Sequence, residues 1–212
     1  RTDMVTCTDI NEAGNRVAFA TVGMQNGAYE STLVIAVPGQ SQTHVEMKFD
    51  SLFAYDVAFI DQHRILLVGD RATYIISVDD GTVICPIEYA GMQLAYADTN
   101  QSVTALMFSI NPVSDTYRMI VTDKNGKLIA DETFDAGISQ LSVFEDYVYC
   151  MADSGIVRIN PATLEYWLIE CSTQGKSLLI TDEDEVLVCG GQSAAYYTFK
   201  KNHLAFFAYI IL

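Results

Sequence analysis

The chain has 212 residues, half of them apolar and 18% charged, which is enough to bury a substantial core and too apolar for a disordered segment. A formal charge of −15, with only 12 Lys and Arg, opposes phosphate backbones and anionic membranes, so no nucleic-acid partner is expected. The five cysteines, Cys7, Cys85, Cys150, Cys171 and Cys189, are far apart and mostly inside apolar runs, so they read as free thiols rather than a disulfide framework.

In chain order, residues 5–10 are the first strand candidate. A turn at 11–15 (NEAGN), a second strand at 16–22 (RVAFATV), a longer loop at 23–30 and a third strand at 31–37 follow. Residues 44–49 make a fourth, with Val45, Met47 and Phe49 alternating against His44, Glu46 and Lys48, the period of a strand with one open face. Residues 55–88 repeat this plan more cleanly, as YDVAFID, RILLVG, ATYIISV and VICPIE. The two middle runs are continuously apolar, so this sheet is expected to be covered on both faces. Asp79-Asp80-Gly81 reads as a tight hairpin turn, because glycine tolerates positive φ. Pro86 cannot donate to a ladder and marks its strand as an edge.

Residues 92–135 supply MQLAYA, SVTALMFSI, TYRMIVT and KLIADETF, with Asn125-Gly126 as the strongest hairpin signal in the chain. Residues 137–171 supply ISQLSVF, YVYCMA, GIVRI and EYWLIEC, and residues 176–212 supply KSLLIT, EVLVCG, SAAYYTF and LAFFAYIIL. No segment keeps a helical spacing beyond two turns. The turns recur about every 40 residues with four strands between them, the signature of propeller blades. The expectation is an all-β fold, a β-propeller of about five four-stranded blades at 4–50, 54–88, 92–135, 137–171 and 176–212 in a single domain. A pair of β-sandwiches would show mostly alternating strands, which the continuous runs ILLVG, YIISV and EVLVCG do not.

The stretches RVAFATVGMQNGAYESTLVIAV, YDVAFID, ISQLSVFEDYVYCMADSGIVRINPATLE and LVCGGQSAAYYTF resemble WD40-like and quinoprotein-like β-propeller repeats. More narrowly, they resemble propeller-like domains of unknown function in Gram-positive bacteria. That resemblance implies an extracellular or cell-surface location behind an N-terminal membrane helix. The resembled family is longer than this chain, so further N-terminal blades are expected to precede it. The Gly-His and Trp-Asp pairs of WD40 blades are missing. Trp167 is the sole tryptophan where quinoprotein blades carry one each, so no quinone cofactor is implied.

Few residues point to chemistry. His44, His63 and His203 stand in or beside separate turns, so no metal site is expected. Gly190-Gly191-Gln192-Ser193 is a turn, not a nucleophile elbow. Asp123-Lys124-Asn125-Gly126 lacks the further carboxylates of a calcium loop, residues 182–185 read as a solvated acidic turn, and Asn100-Gln101-Ser102 is a bare glycosylation sequon. No catalytic residue is assigned.

In a propeller, the loops joining second to third strands share one face with the loops leading to the next blade, and function is carried on such loops. Asn26, Tyr29, Arg71, Tyr89, Asp153 and Gln192 are the candidate contacts on that face. The expected ligand is a protein, a small molecule or a glycan. The apolar run at 204–212 is a candidate for self-association or for closing the ring. The expected function is a non-enzymatic binding or scaffold module. Two alternatives stay open. One is a propeller enzyme using Thr8, Asp56, Gln93, Gln140 and Thr181 along the central channel. The other is a quinoprotein-like assembly factor of the cell envelope.

Overall fold

The fold was analysed in a computed structural model, which describes residues 3–40, 42–89, 91–111, 113, 115–171, 177–190 and 193–199. The candidate Gln192, His203 and the run at 204–212 lie outside the described residues. Nineteen strands and no helix occur among the described residues. They form five antiparallel sheets in which each strand pairs with its neighbour in sequence. The first sheet contains β1 (Met4–Ile10), β2 (Val17–Gln25), β3 (Ala28–Ala36) and β4 (Thr43–Asp50). The second contains β5 (Ala54–Phe59), β6 (Arg64–Gly69), β7 (Ala72–Ser77) and β8 (Val83–Glu88). The third contains β9 (Gln93–Thr99), β10 (Val103–Asn111), β11 (Thr116–Asp123) and β12 (Leu128–Asp135). The fourth contains β13 (Ile138–Phe144), β14 (Tyr147–Ala152), β15 (Gly155–Asn160) and β16 (Glu165–Ile169). The fifth contains β17 (Ser177–Asp182), β18 (Glu185–Cys189) and β19 (Ala194–Thr198). Four-stranded meanders of this kind are propeller blades, so the expected fold class holds.

The chain divides into two compact units. Residues 1–93 with 124–127 make the first, and residues 94–123 with 128–212 the second. In the second unit the fourth sheet shows why the pattern demands stacked sheets. Along β14, Val148, Cys150 and Ala152 enter a core shared with Met107, Met119 and Val121 of the third sheet. The alternate residues Tyr149 and Met151 enter another, with Val186 and Val188 of the fifth. A strand presents successive side chains to opposite faces, so an uninterrupted apolar run needs a neighbour on each side. Each fully buried Val, Leu or Phe adds about 1.5–3 kcal/mol. In the first unit, Ala18, Leu33 and Ile35 of the first sheet pack with Ile65, Leu67 and Ile76 of the second.

Inner strands are tied together by side chains that reach the next backbone. The Asp9 carboxylate accepts the Phe59 N–H at 2.7 Å. In the second unit, Asp98 accepts the Val143 N–H at 2.8 Å and the Ser142 hydroxyl at 3.2 Å. Gln140 both accepts from Leu178 N–H, at 2.7 Å, and donates to its carbonyl, at 2.9 Å.

Two turns differ from expectation. The long loop expected at 23–30 is instead a continuation of β2 and β3, closed by Asn26 and Gly27 alone, at φ 53° and 81°. Two consecutive left-handed residues match the twist of a tight hairpin, and Asn-Gly is the pair that adopts them at least cost. At the Asn125-Gly126 turn, between β11 and β12, only Gly126 has positive φ, at 84°, and the connection is longer. The edge strand and the Asp79-Asp80-Gly81 turn are as expected. Pro86 lies on β8, an edge strand, and Gly81 turns the β7–β8 hairpin at φ 75°. All five cysteines are free thiols, but only Cys150 is fully buried, and burial pushes its thiol up to about 12.

Two predictions follow from this geometry. Gly155 opens β15 at φ 140°, and a Cβ there would be driven into the Ile169 carbonyl oxygen of the paired strand. Gly155→Ala is expected to cost about 2–4 kcal/mol in urea unfolding, because the clash is with backbone. Burial raises the pKa of Asp98, and the hydrogen bonds from Val143, Thr99 and Ser142 offset this only in part. The folded chain therefore holds this proton more tightly than the unfolded chain. The contribution is fully present below the unfolded value of about 3.9 and is lost as pH rises through the raised folded value. Asp98→Asn is therefore expected to destabilise more at pH 4 than at pH 7, read from paired urea melts.

Candidate functional site

In the first unit the connection from β4 to β5 is clamped from two sides. The Ser31 hydroxyl, buried on β3, donates to the Leu52 carbonyl at 2.7 Å and accepts the Ala54 N–H at 2.9 Å. From the β6–β7 turn, Asp70 accepts the Phe53 N–H at 2.9 Å on its carboxylate and returns its own N–H to the Phe53 carbonyl at 3.0 Å. Leu52 folds over Gly69, where a Cβ would lie 2.5 Å from its Cδ1. The Phe53 ring meets Tyr29 edge-on, with centroids 5.2 Å apart. The Arg71 carbonyl then accepts the Tyr89 N–H at 3.0 Å, which fixes the exit from β8.

These ties frame a groove of about 540 Å³. Asp50, Asp70, Glu88 and Arg71 supply its charges, and Tyr74 and Tyr89 supply its rings. Arg71 is largely exposed and only loosely held by Asp70, with Nε 3.7 Å from the carboxylate. Tyr89 is buried and its hydroxyl is hydrogen-bonded to Thr73. Burial, together with the nearby Tyr55, Tyr74 and Asp70, raises the Tyr89 pKa, with the Thr73 bond opposing. Burial, then Asp70 and Asp56, pushes the Tyr55 phenol up to about 12. Ser51, on the rim, is held at φ 57°, a backbone region that a side chain other than glycine adopts at some cost.

The predicted contacts are partly brought together. Arg71 and Tyr89 line the groove. Tyr29 joins its frame through Phe53, and Asn26 stands at the hairpin tip beyond it. Asp153 holds the same place on the fourth sheet that Asp70 holds on the second. Its N–H donates to the Gly137 carbonyl at 3.0 Å, and its carboxylate lies over Gly137, where any Cβ would collide with it. Among the channel candidates, Gln140 spends its amide on Leu178, and Thr181 donates to the Glu185 carbonyl at 3.2 Å. Asp56 accepts the Val57 N–H at 2.8 Å. Thr8 and Gln93 are exposed on β1 and β9. His63 lies 2.9 Å from Asp79, and no group of three metal-binding side chains occurs among the described residues. The Asn100 amide donates to the Glu145 carbonyl at 2.7 Å, so the sequon nitrogen is engaged.

The reading of the sequence missed Arg158. It is buried on β15, with its guanidinium carbon 4.4 Å from the Trp167 ring centre, 4.7 Å from Phe199 and 4.9 Å from Tyr147. Its Nη1 donates to Asp184 at 2.6 Å and to the Glu183 carbonyl at 2.8 Å. The acidic turn read as solvated is thus the anchor of a cation sandwiched between rings, which binds the fourth sheet to the fifth. The signal was a charged residue in GIVRIN, a strand expected to be buried on both faces, directly across from the sole tryptophan.

With this geometry in view, the family can be stated. Residues 3–165 match the model of a family of unknown function (DUF5711). The chain belongs to that family. No curated protein matches it. Solved structures are similar in fold. BamB from Moraxella catarrhalis is 12% identical with a TM-score of 0.58, over 92% of this chain and 59% of that one. The Pan2 WD40 domain of Neurospora crassa is 11% identical with a TM-score of 0.60, over 95% and 64%. BBS1N in complex with ARL6DN is 13% identical with a TM-score of 0.62, over 96% and 63%. The chain thus spans less than two thirds of the length of each of these structures. At such identities the likeness is one of fold.

Arg158→Ala is expected to cost about 2–4 kcal/mol in thermal or urea unfolding, since it empties the ring sandwich and strands Asp184. Arg158→Lys should recover only part, because a point charge cannot stack as a planar guanidinium does.

Proposed function

We propose that this protein is a non-enzymatic binding scaffold that engages a partner protein through the groove between Asp50 and Met92. The five sheets are then consecutive blades of one propeller domain, displayed at a bacterial cell surface as the family resemblance implies. The observation that carries the proposal is the groove itself. It is a concavity of about 540 Å³, within the usual size of a binding site, and hydrogen bonds from Ser31 and Asp70 to the β4–β5 connection hold its frame. Its charged groups stay available, since Arg71 and Asp50 reach into it from exposed loop and strand-end positions. A similar propeller was solved bound to a second protein, which supports the class of partner. Of the channel candidates, Gln140, Asp56 and Thr181 hydrogen-bond to backbone groups, which favours binding over acid–base work.

The test is site-specific photo-crosslinking in the native host. A crosslinking residue in place of Arg71 is expected to give a discrete protein adduct, and the same residue in place of Glu132 on β12 is expected to give none. Glu88→Trp, which fills the groove, should remove the adduct. Adducts of equal yield at both positions, or an Arg71 adduct indifferent to Glu88→Trp, would refute the groove as the binding site.

A further inference from the structure

The lining of the groove says what kind of group it takes. Three carboxylates, Asp50, Asp70 and Glu88, face one guanidinium, Arg71, which is itself loosely paired. An anionic ligand would meet net repulsion here, and a neutral one would leave the carboxylates uncompensated. One wall is aromatic. The Tyr74 ring is fixed against Phe49, with centroids 4.9 Å apart, and Glu88 lies close enough to help raise its pKa behind the larger effect of burial. Leu52, Ala72 and Met92 add apolar lining. An aromatic ring, carboxylates and apolar lining are the three surfaces that a long cationic side chain uses. The ring would face the cation, the carboxylates would pair with it, and the apolar lining would cover its methylene stem.

We propose that the groove receives an arginine side chain of a basic segment on the partner protein, with the guanidinium beside Tyr74 and among Asp50, Asp70 and Glu88. This rests on the groove being the binding site, and it names the chemistry of what enters. Arginine suits the site better than lysine. Its planar guanidinium can lie against the ring and still donate in forked fashion to carboxylates on either side. The acidic surface as a whole steers such a segment inward, but steering alone does not select a ring and an apolar lining.

The test uses calorimetric titration of the full chain at physiological salt with a capped Gly-Arg-Gly-Arg-Gly peptide. Its citrulline counterpart keeps the shape and loses the charge. The arginine peptide is expected to bind at least 10-fold more tightly than the citrulline peptide. Tyr74→Leu and the pair Asp50→Asn with Glu88→Gln should each weaken it at least 5-fold. The charge-matched pair Glu132→Gln with Asp146→Asn should leave it unchanged. Thermal melts of each variant confirm folding, and Asp50 and Glu88 are both exposed, so neutralising them leaves the core intact. Equal binding of both peptides would overturn the inference. So would an equal loss in the control pair, or spermidine binding as tightly as the arginine peptide with no effect of Tyr74→Leu, since either outcome means diffuse attraction to an acidic surface. If the arginine peptide fails while the Arg71 crosslink persists and still responds to Glu88→Trp, this inference falls and the binding scaffold stands.

Discussion

A strand that is apolar on both faces can be buried only between two other layers, and the rest of this molecule is arranged around that constraint. In β14 the side chains alternate strictly between two cores, with Val148, Cys150 and Ala152 on one side and Tyr149 and Met151 on the other. Neither core could exist without a third sheet and a fifth. A single meander of this composition would expose two apolar faces and aggregate. Serial stacking removes that hazard and leaves polarity for strand ends and outer strands. It is also why β8 tolerates Pro86 and β12 carries Asp131 and Glu132, edge positions where a missing donor or a charge does no harm.

Stacking alone does not fix how one sheet meets the next, because apolar contact is non-directional. Direction comes from hydrogen bonds that leave a side chain and end on a neighbouring backbone. Asp9, Asp98 and Gln140 do this at the inner strands, and Arg158 does it through the acidic turn at 183–184. Asp98 shows the burial that such a link requires. Asp98 is raised by desolvation in spite of its donors, whereas the exposed Asp79 is lowered by its bonds to His63 and Arg16. Buried ties hold geometry at some electrostatic cost, and exposed ones cost little and hold little.

Sheet count, strand order, edge strands and doubly buried middle strands were all legible in the sequence, because each follows from local periodicity. The misreadings were of two kinds. At Asn26-Gly27 a polar stretch reads as a loop, although its two residues are the pair a tight hairpin demands. The letters GMQNGAYE carry no apolar alternation, and β-pairing there comes from the backbone. At Arg158 and at the groove, the meaning lies in contacts across 25 or more residues of sequence, which no local pattern encodes. Arg71 and Tyr89, which line the groove, can be named from the sequence because loop position is itself periodic. Asp50, Glu88 and Tyr74 cannot, since they belong to strands and meet at the groove only where two connections converge.

Asp70 shows how such a site can coexist with a repeat built for stability. Its backbone N–H makes the link that Asp153 also makes to the strand entering its own sheet, and the Arg71 carbonyl makes the exit link that Asp115 makes to Ala136. These bonds use only main-chain atoms, so any side chain could occupy either place without loosening the blade. The structural requirement falls instead on the buried residues Ser31, Gly69 and Leu52, the last of which also lines the groove. The division leaves the side chains of Asp50, Arg71 and Glu88 outside the frame, at the groove lining. Asp70 is the exception, because its carboxylate also holds Phe53. A change there would alter both the frame and the charge, which is why the charge of the groove is best probed at Asp50 and Glu88.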